Sequence, residues 1–121
     1  MSILDYGTAR IWNDELVHNK PRMTVQNYLW ALQVFCDWTK KNPDELIAER
    51  LSEISDRSDY FETPTFKRIA DYQSDDRSKT KHSRDMIVRA ITSFYDDNRA
   101  GIDDANLEET RLRLKMVGKY P

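Results

Sequence analysis

Apolar residues recur along the chain at the three- and four-residue spacing of α-helices, and this pattern predicts five helices. The first is predicted over residues 4–17. The second, over residues 24–41, has the clearest apolar stripe, made by Tyr28, Ala31, Leu32, Phe35 and Trp38. Thr24 is predicted to cap it, because a threonine hydroxyl can accept a hydrogen bond from an unpaired N–H of the first turn.

The third and fourth helices are predicted to begin with the same signal, a capping residue followed by proline. These pairs are Asn42-Pro43 and Thr63-Pro64. We expect the third helix to bury Ile47, Leu51 and Ile54, and the fourth to bury Phe66, Ile69 and Tyr72.

The fifth helix is predicted to begin near Thr80 or Ser83 and to stop at Asn98 or Gly101. Its buried face is predicted to contain Ile87, Ala90, Ile91 and Phe94. A further helical turn or two is predicted from Leu107.

Length and composition favour one small all-α domain. The chain has 121 residues with only 3 glycines and 4 prolines, and β-branched residues rarely alternate with polar ones. No apolar run approaches the roughly 20 residues that span a bilayer, and residues 1–10 do not have the pattern of a signal peptide. We therefore expect a cytoplasmic protein. The single cysteine, Cys36, excludes an internal disulfide and a cysteine-based zinc site.

Signatures of catalysis are missing from the sequence. It contains no glycine-rich phosphate loop, no H-E-x-x-H and no G-x-S-x-G. His18 and His82 have no partner at metal-ligand spacing and are interpreted as surface or cap residues. Three pairs of adjacent aspartates invite a metal hypothesis, but adjacent residues do not point the same way, so solvated caps are the preferred interpretation. We expect no catalytic set, no metal and no cofactor.

Two basic clusters stand where helices are predicted to begin. With a net charge of −2, any basic function must be local. The first cluster is Lys20 and Arg22, just before Thr24, and the second contains Lys79, Thr80, Lys81, His82 and Arg84. A helix N-terminus is partly positive and prefers acids, so cations there conflict with it unless an anion such as phosphate binds to both. The alternative is a pair of solvated clusters, the second partly neutralised by Asp75, Asp76 and Asp85.

The predicted outward face of the second helix is unusual. It contains Gln26, Asn27, Trp30, Gln33 and Asp37. Glutamine and asparagine amides can make paired hydrogen bonds to adenine in the major groove, where a helix fits. The alternative for Trp30 is packing against another segment or a neighbouring domain.

Three segments resemble the N-terminal, core-binding domain of tyrosine recombinases, the phage integrase family. The stretch TVQNYLWALQVFCDW looks like the pattern T-x-x-x-Y-x-x-x-L-x-x-F-x-x-W of that domain. The stretch SKTKHSRDMIVRAITSFYDDN resembles its second half, and NPDELIAERL between them resembles its third helix. The ending AITSFYDDN is similar to archaeal and related prokaryotic integrases. The resemblance covers residues 5–98.

The resemblance implies a SAM-like orthogonal bundle of four to five helices that forms one jaw of a clamp around duplex DNA. Residues 1–102 would be this domain, and residues 103–121 a linker toward an absent catalytic domain. The implied partners are double-stranded DNA at the nucleoid and other recombinase protomers, without a membrane or a small-molecule substrate. The resemblance places Thr24, Gln26, Asn27 and residues 79–84 where the family contacts DNA. Together with the two basic clusters and the outward face of the second helix, it gives the predicted DNA contacts Lys20, Arg22, Thr24, Gln26, Asn27, Trp30, Lys79, Thr80, Lys81, His82 and Arg84.

The chain departs from the family in its catalytic residues, which are an arginine, a His-x-x-Arg and a nucleophilic tyrosine. His82 is followed at the third position by Asp85 and His18 by Pro21, and Tyr120 has no such partners upstream. We therefore expect this chain to bind DNA without cleaving it, as part of a larger integrase or as a stand-alone relative. The alternative function is a helical protein–protein interaction module, with Trp30 as an interface anchor.

Overall fold

The computed structural model describes residues 2–75 and 79–101, and these residues confirm the predicted all-α class. They contain two 3-10 turns, Ile3–Asp5 and Tyr60–Glu62, and no strand. The α-helices are α1 (Gly7–Asn19), α2 (Arg22–Thr39), α3 (Pro43–Ser55), α4 (Pro64–Gln73) and α5 (Lys81–Asp97). None of these described helices is long and apolar enough to cross a membrane. The predicted helical turns from Leu107 lie outside the described residues.

The core is a set of interlocked aromatic rings around α2. Trp12 of α1 stacks on Tyr28 and meets Phe94 edge to face, with ring centroids 6.0 and 5.4 Å apart. At the other end of α2, Trp38 packs edge to face against Tyr72 of α4, which leads into the start of α5. Tyr28 in the front half of α2 and Phe94 near the end of α5 therefore both pack on the ring of Trp12.

The first turn of helix α3 supplies carboxylates to two helix starts, its own and that of α1. At its own start, Asn42 and Glu45 form a reciprocal capping box, with hydrogen bonds of 2.8 and 2.9 Å. Asp44 Oδ1 accepts hydrogen bonds from the backbone N–H and the hydroxyl of Thr8, at 3.1 and 2.6 Å. The first turn of α1 contains no acid of its own, so Asp44 provides the negative charge that its dipole favours.

A buried ion pair joins α3 to α4 and to the end of the described chain. Arg50 and Glu53 are about 5% and 7% exposed, and the Arg50 guanidinium donates to Glu53 and to the Gly101 carbonyl. The other Glu53 oxygen accepts from the N–H and the hydroxyl of Thr65, in the first turn of α4. Arg50 also lies over the ring of Tyr60, 5.0 Å from its centroid. One carboxylate therefore neutralises a buried guanidinium and caps a helix.

This ion pair explains why the predicted buried face of α3 was wrong in part. Ile47 is buried as expected, but Leu51 and Ile54 are 44% and 43% exposed. The buried face includes Arg50 and Glu53 instead, so it is rotated away from the apolar residues. Hydrophobic periodicity does not detect a buried face that is half ionic.

The boundaries of the other helices contain one further error and several agreements. Thr24 is not the cap of α2, because the helix already begins at Arg22 and Pro21 occupies the cap position without a side-chain hydrogen bond. Thr24 lies half-buried within the first turn. The predicted caps Asn42 and Thr63 are confirmed. Helix α5 begins at Lys81, within the predicted range near Thr80 or Ser83, and its stop at Asn98 is also as predicted.

We predict that Glu53→Gln destabilises the fold by about 3–5 kcal/mol, because it leaves the buried Arg50 charge without its counter-ion. Urea unfolding followed by circular dichroism measures this loss. Glu62→Gln, an exposed glutamate nearby, is the matched control and should change stability by less than about 0.5 kcal/mol. Equal effects of the two substitutions would contradict the role given to Glu53.

Candidate nucleic-acid interface

The start of α2 combines backbone N–H groups with two exposed cations. Helix α1 ends at Asn19, and α2 begins at Arg22 after a two-residue connection of Lys20 and Pro21. The first turn of α2 contains no acidic residue and its cap makes no side-chain hydrogen bond. Lys20 and Arg22 are exposed and line a shallow surface depression with Val17, Val25 and Gln26. This helix start therefore presents two kinds of positive charge to solvent: the partial charge of its backbone N–H groups and the full charges of Lys20 and Arg22.

The start of α5 has a neutral cap surrounded by cations. The Thr80 hydroxyl accepts from the Ser83 N–H at 3.2 Å and lies 3.1 Å from the Ser83 hydroxyl. The first turn contains no acid. Lys81 pairs with Asp85 at 3.5 Å, but its side chain is 80% exposed, and such a pair contributes at most about 1 kcal/mol. Lys81 can therefore exchange this contact for a phosphate.

The five helix starts thus fall into two classes. Carboxylates of α3 serve the starts of α1, α3 and α4, through Asp44, Glu45 and Glu53 respectively. The starts of α2 and α5 have a proline and a threonine at the cap, and exposed lysine or arginine side chains beside it. Each uncompensated dipole end is equivalent to roughly half a positive charge. The two predicted clusters thus lie at the two helix starts that α3 does not supply with a carboxylate.

Arg84 does not belong to this surface, contrary to the prediction that it contacts DNA. It is about 5% exposed, and its guanidinium donates to the backbone carbonyls of Gln73 and Lys79. These bonds tie the end of α4 to the residues before α5. Arg84 is therefore a positioning residue that fixes the backbone of Lys79. The charge pattern of the sequence could not distinguish it from Lys81, because both flank the same helix start.

Trp30 and Lys79 connect the two clusters, which the sequence alone did not indicate. Trp30 is 45% exposed on the outward face of α2, and the Lys79 ammonium lies over its ring, 5.4 Å from the centroid. A contact of this kind at an exposed site contributes about 0.5–1 kcal/mol. It brings the residues before α5 onto the surface of α2, although 48 residues lie between Trp30 and Lys79 in the sequence.

The surface around Trp30 extends toward the start of α2. Trp30 follows Arg22 by eight residues, which places them about 12 Å apart along the axis of α2. Gln26 and Asn27 lie between them and are exposed, as is Met23. His82 is exposed in the first turn of α5. Thr24 is half-buried, and the Thr80 hydroxyl is already hydrogen-bonded to Ser83. Besides the cations, the donors available to a phosphate at both starts are therefore backbone N–H groups.

The remaining reactive residues offer no catalytic arrangement within the described ranges. Among those residues no three histidine, cysteine, aspartate or glutamate side chains lie close enough together to hold a metal. Burial, with the nearby charges of Asp37 and Glu45, raises the pKa of the Cys36 thiol to about 12. The thiol therefore stays protonated at neutral pH and is a poor nucleophile.

Comparisons with known proteins add no neighbour to this description. No family model, no curated protein and no solved structure matches the chain.

We predict that Arg84→Met destabilises the protein by about 2 kcal/mol or more, because each hydrogen bond from a charged donor to a buried carbonyl contributes about 1.5–3 kcal/mol. Lys81→Met, which removes an exposed cation in the same turn, should change stability by less than about 0.5 kcal/mol. Thermal unfolding of both variants tests this difference. If Arg84→Met left the stability unchanged, the buried structural role given to Arg84 would be wrong.

Proposed function

We propose that this domain binds duplex DNA through phosphates held at the starts of α2 and α5. The single observation that carries the proposal is that, among the described residues, α3 provides carboxylates to the starts of α1, α3 and α4, whereas the first turns of α2 and α5 contain no acid and have Lys20, Arg22 and Lys81 exposed beside them. A phosphate bound there would accept hydrogen bonds from backbone N–H groups, interact favourably with the helix dipole and neutralise the nearby cations. The four cations proposed to contact phosphate are Lys20, Arg22, Lys79 and Lys81.

The outward face of α2 would then lie in or along a groove. Gln26 and Asn27 present amides able to pair with adenine edges, and His82 extends from the first turn of α5. The net charge of −2 keeps the affinity for DNA modest, because acidic residues away from the interface repel the DNA phosphates. We expect weak binding with little sequence preference from this domain alone.

The wider role that we propose is that of the core-binding domain of a tyrosine-type site-specific recombinase. The three resembling segments support it, since they fall on α2, α3 and α5 in the order of that family. On this view the chain holds DNA, and a separate catalytic domain with its own arginine, His-x-x-Arg and tyrosine performs the cleavage. Partners would include other protomers on the same DNA at the nucleoid.

The salt dependence of binding tests the proposal. Four neutralised phosphates at about 0.9 each predict a slope of log affinity against log salt of roughly −3.6 for duplex DNA. Fluorescence anisotropy with a labelled duplex over a range of salt concentrations measures it. Lys20→Glu with Arg22→Glu, or Lys79→Glu with Lys81→Glu, should abolish measurable binding, because each pair replaces two attractive charges with two repulsive ones.

The matched control is Lys40→Glu with Lys67→Glu, two exposed lysines outside the proposed surface. Each of the three double variants changes the net charge from −2 to −6, so a general charge effect would weaken all three alike. The proposal requires the control to keep most of its affinity. A slope near zero, or equal losses in all three variants, would overturn it.

A second candidate, a helical protein–protein interaction module, is favoured by one observation. Met23 and Trp30 are 68% and 45% exposed, and their seven-residue spacing places them on the same face of α2. An exposed tryptophan beside a methionine is typical of an interface anchor. Substitutions separate the two functions: Lys79→Glu with Lys81→Glu would spare binding to a protein partner, whereas Trp30→Ala would weaken it most.

A further inference from the structure

Trp30 differs from the other two tryptophans in having no role in the core. Trp12 is fully buried and donates to the Ser93 hydroxyl at 3.1 Å. Trp38 packs against Tyr72 and donates to Asp75 at 2.9 Å. Trp30 instead leaves 45% of its surface exposed, with the Lys79 ammonium over its ring. A large rigid ring at the surface, beside a cation, needs a different explanation from packing.

The combination of an exposed indole and a mobile cation matches the chemistry of nucleobase stacking. Every base has a π-face that can stack on an indole, and the phosphate next to that base requires a cation nearby. Bases within a duplex hide their faces in the stack, so only an unpaired base can use the indole. Gln26 and Asn27 are exposed about one helical turn before Trp30, where their amides can reach the edge of such a base.

Lys79 is placed to change partners when a base arrives. Its backbone carbonyl accepts a hydrogen bond from buried Arg84, so the point from which the side chain extends is fixed. Its ammonium is on a four-carbon stem and can turn from the indole to a phosphate without moving the backbone. The base then occupies the ring face that the ammonium leaves.

We propose that Trp30 and Lys79 form a stacking site for one unpaired nucleobase, adjoining the phosphate sites at the starts of α2 and α5. This inference rests on the proposed function and specifies its substrate: a duplex with an unpaired base beside the phosphates that the protein holds. It distinguishes this surface from a binder of fully paired DNA, for which an exposed indole gives no advantage.

Three duplexes of the same sequence test the site. One is fully paired, one has a single-thymine bulge, and one has an abasic bulge that keeps the extra backbone without the base. Anisotropy titrations should show wild-type protein binding the thymine bulge about tenfold tighter than the abasic bulge, within the roughly five- to 150-fold range that one stacked base contributes. Trp30→Ala should bind both bulges equally, and Trp30→Phe should keep part of the preference.

Met23→Ala is the matched control, because Met23 is 68% exposed on the same face of α2 and should leave the preference unchanged. Two outcomes would overturn the inference while the proposed function stands. In the first, wild type binds all three duplexes with the same affinity. In the second, Trp30→Ala keeps the full preference for the thymine bulge, which would then arise from DNA shape. Failure to bind any of the three duplexes would overturn the proposed function itself.

Discussion

Every α-helix presents a positively polarised N-terminus, and a small bundle of five helices must provide negative partners for them or leave them to solvent. In this protein a single helix, α3, provides most of them. Its Asp44, Glu45 and Glu53 serve the starts of α1, α3 and α4. Helices α2 and α5 have no acid in their first turns and receive no carboxylate from α3, and exposed cations flank their starts. This uneven distribution of acids makes two helix starts available to an external anion.

The buried ion pair of Arg50 and Glu53 also influences where the proposed DNA-binding surface lies. It links α3 to α4 through Thr65 and to the end of the described chain through the Gly101 carbonyl. From the end of α4, Arg84 continues the connection to the backbone of Lys79 and so to the indole of Trp30. Buried polar groups of this kind contribute more to a defined geometry than to net stability. Here that geometry places a lysine that precedes α5 on the outward face of α2.

The sequence predicted most of the fold, because helix caps and apolar spacing are local signals. The caps Asn42 and Thr63 could be identified from the prolines that follow them. The cap predicted at Thr24 was a local error, because α2 already begins at Arg22. The error in the buried face of α3 came from a tertiary arrangement. Leu51 and Ile54 were predicted to be buried because no local pattern shows that Arg50 and Glu53 neutralise each other inside the protein.

The charges of the candidate surface could be predicted from the sequence, but the geometry of that surface could not. Lys79 and Lys81 could be found as cations at a helix start, but so could Arg84, which packs inside. The contact between Trp30 and Lys79 depends on how α2 and α5 pack, and no spacing within either segment indicates it. The partners of the helix starts are likewise tertiary: Asp44 lies 36 residues from Thr8 in sequence.

The most direct test of this account is a titration of the protein with a short duplex, followed by the chemical shifts of its backbone amides. The five helix starts provide their own controls, because each first turn contains amides of the same kind. If phosphates bind where the acids are missing, the largest shifts will fall on the first-turn amides of α2 and α5. The starts of α1, α3 and α4 will stay unchanged. Shifts spread equally over all five starts, or confined to those of α1, α3 and α4, would contradict the central claim.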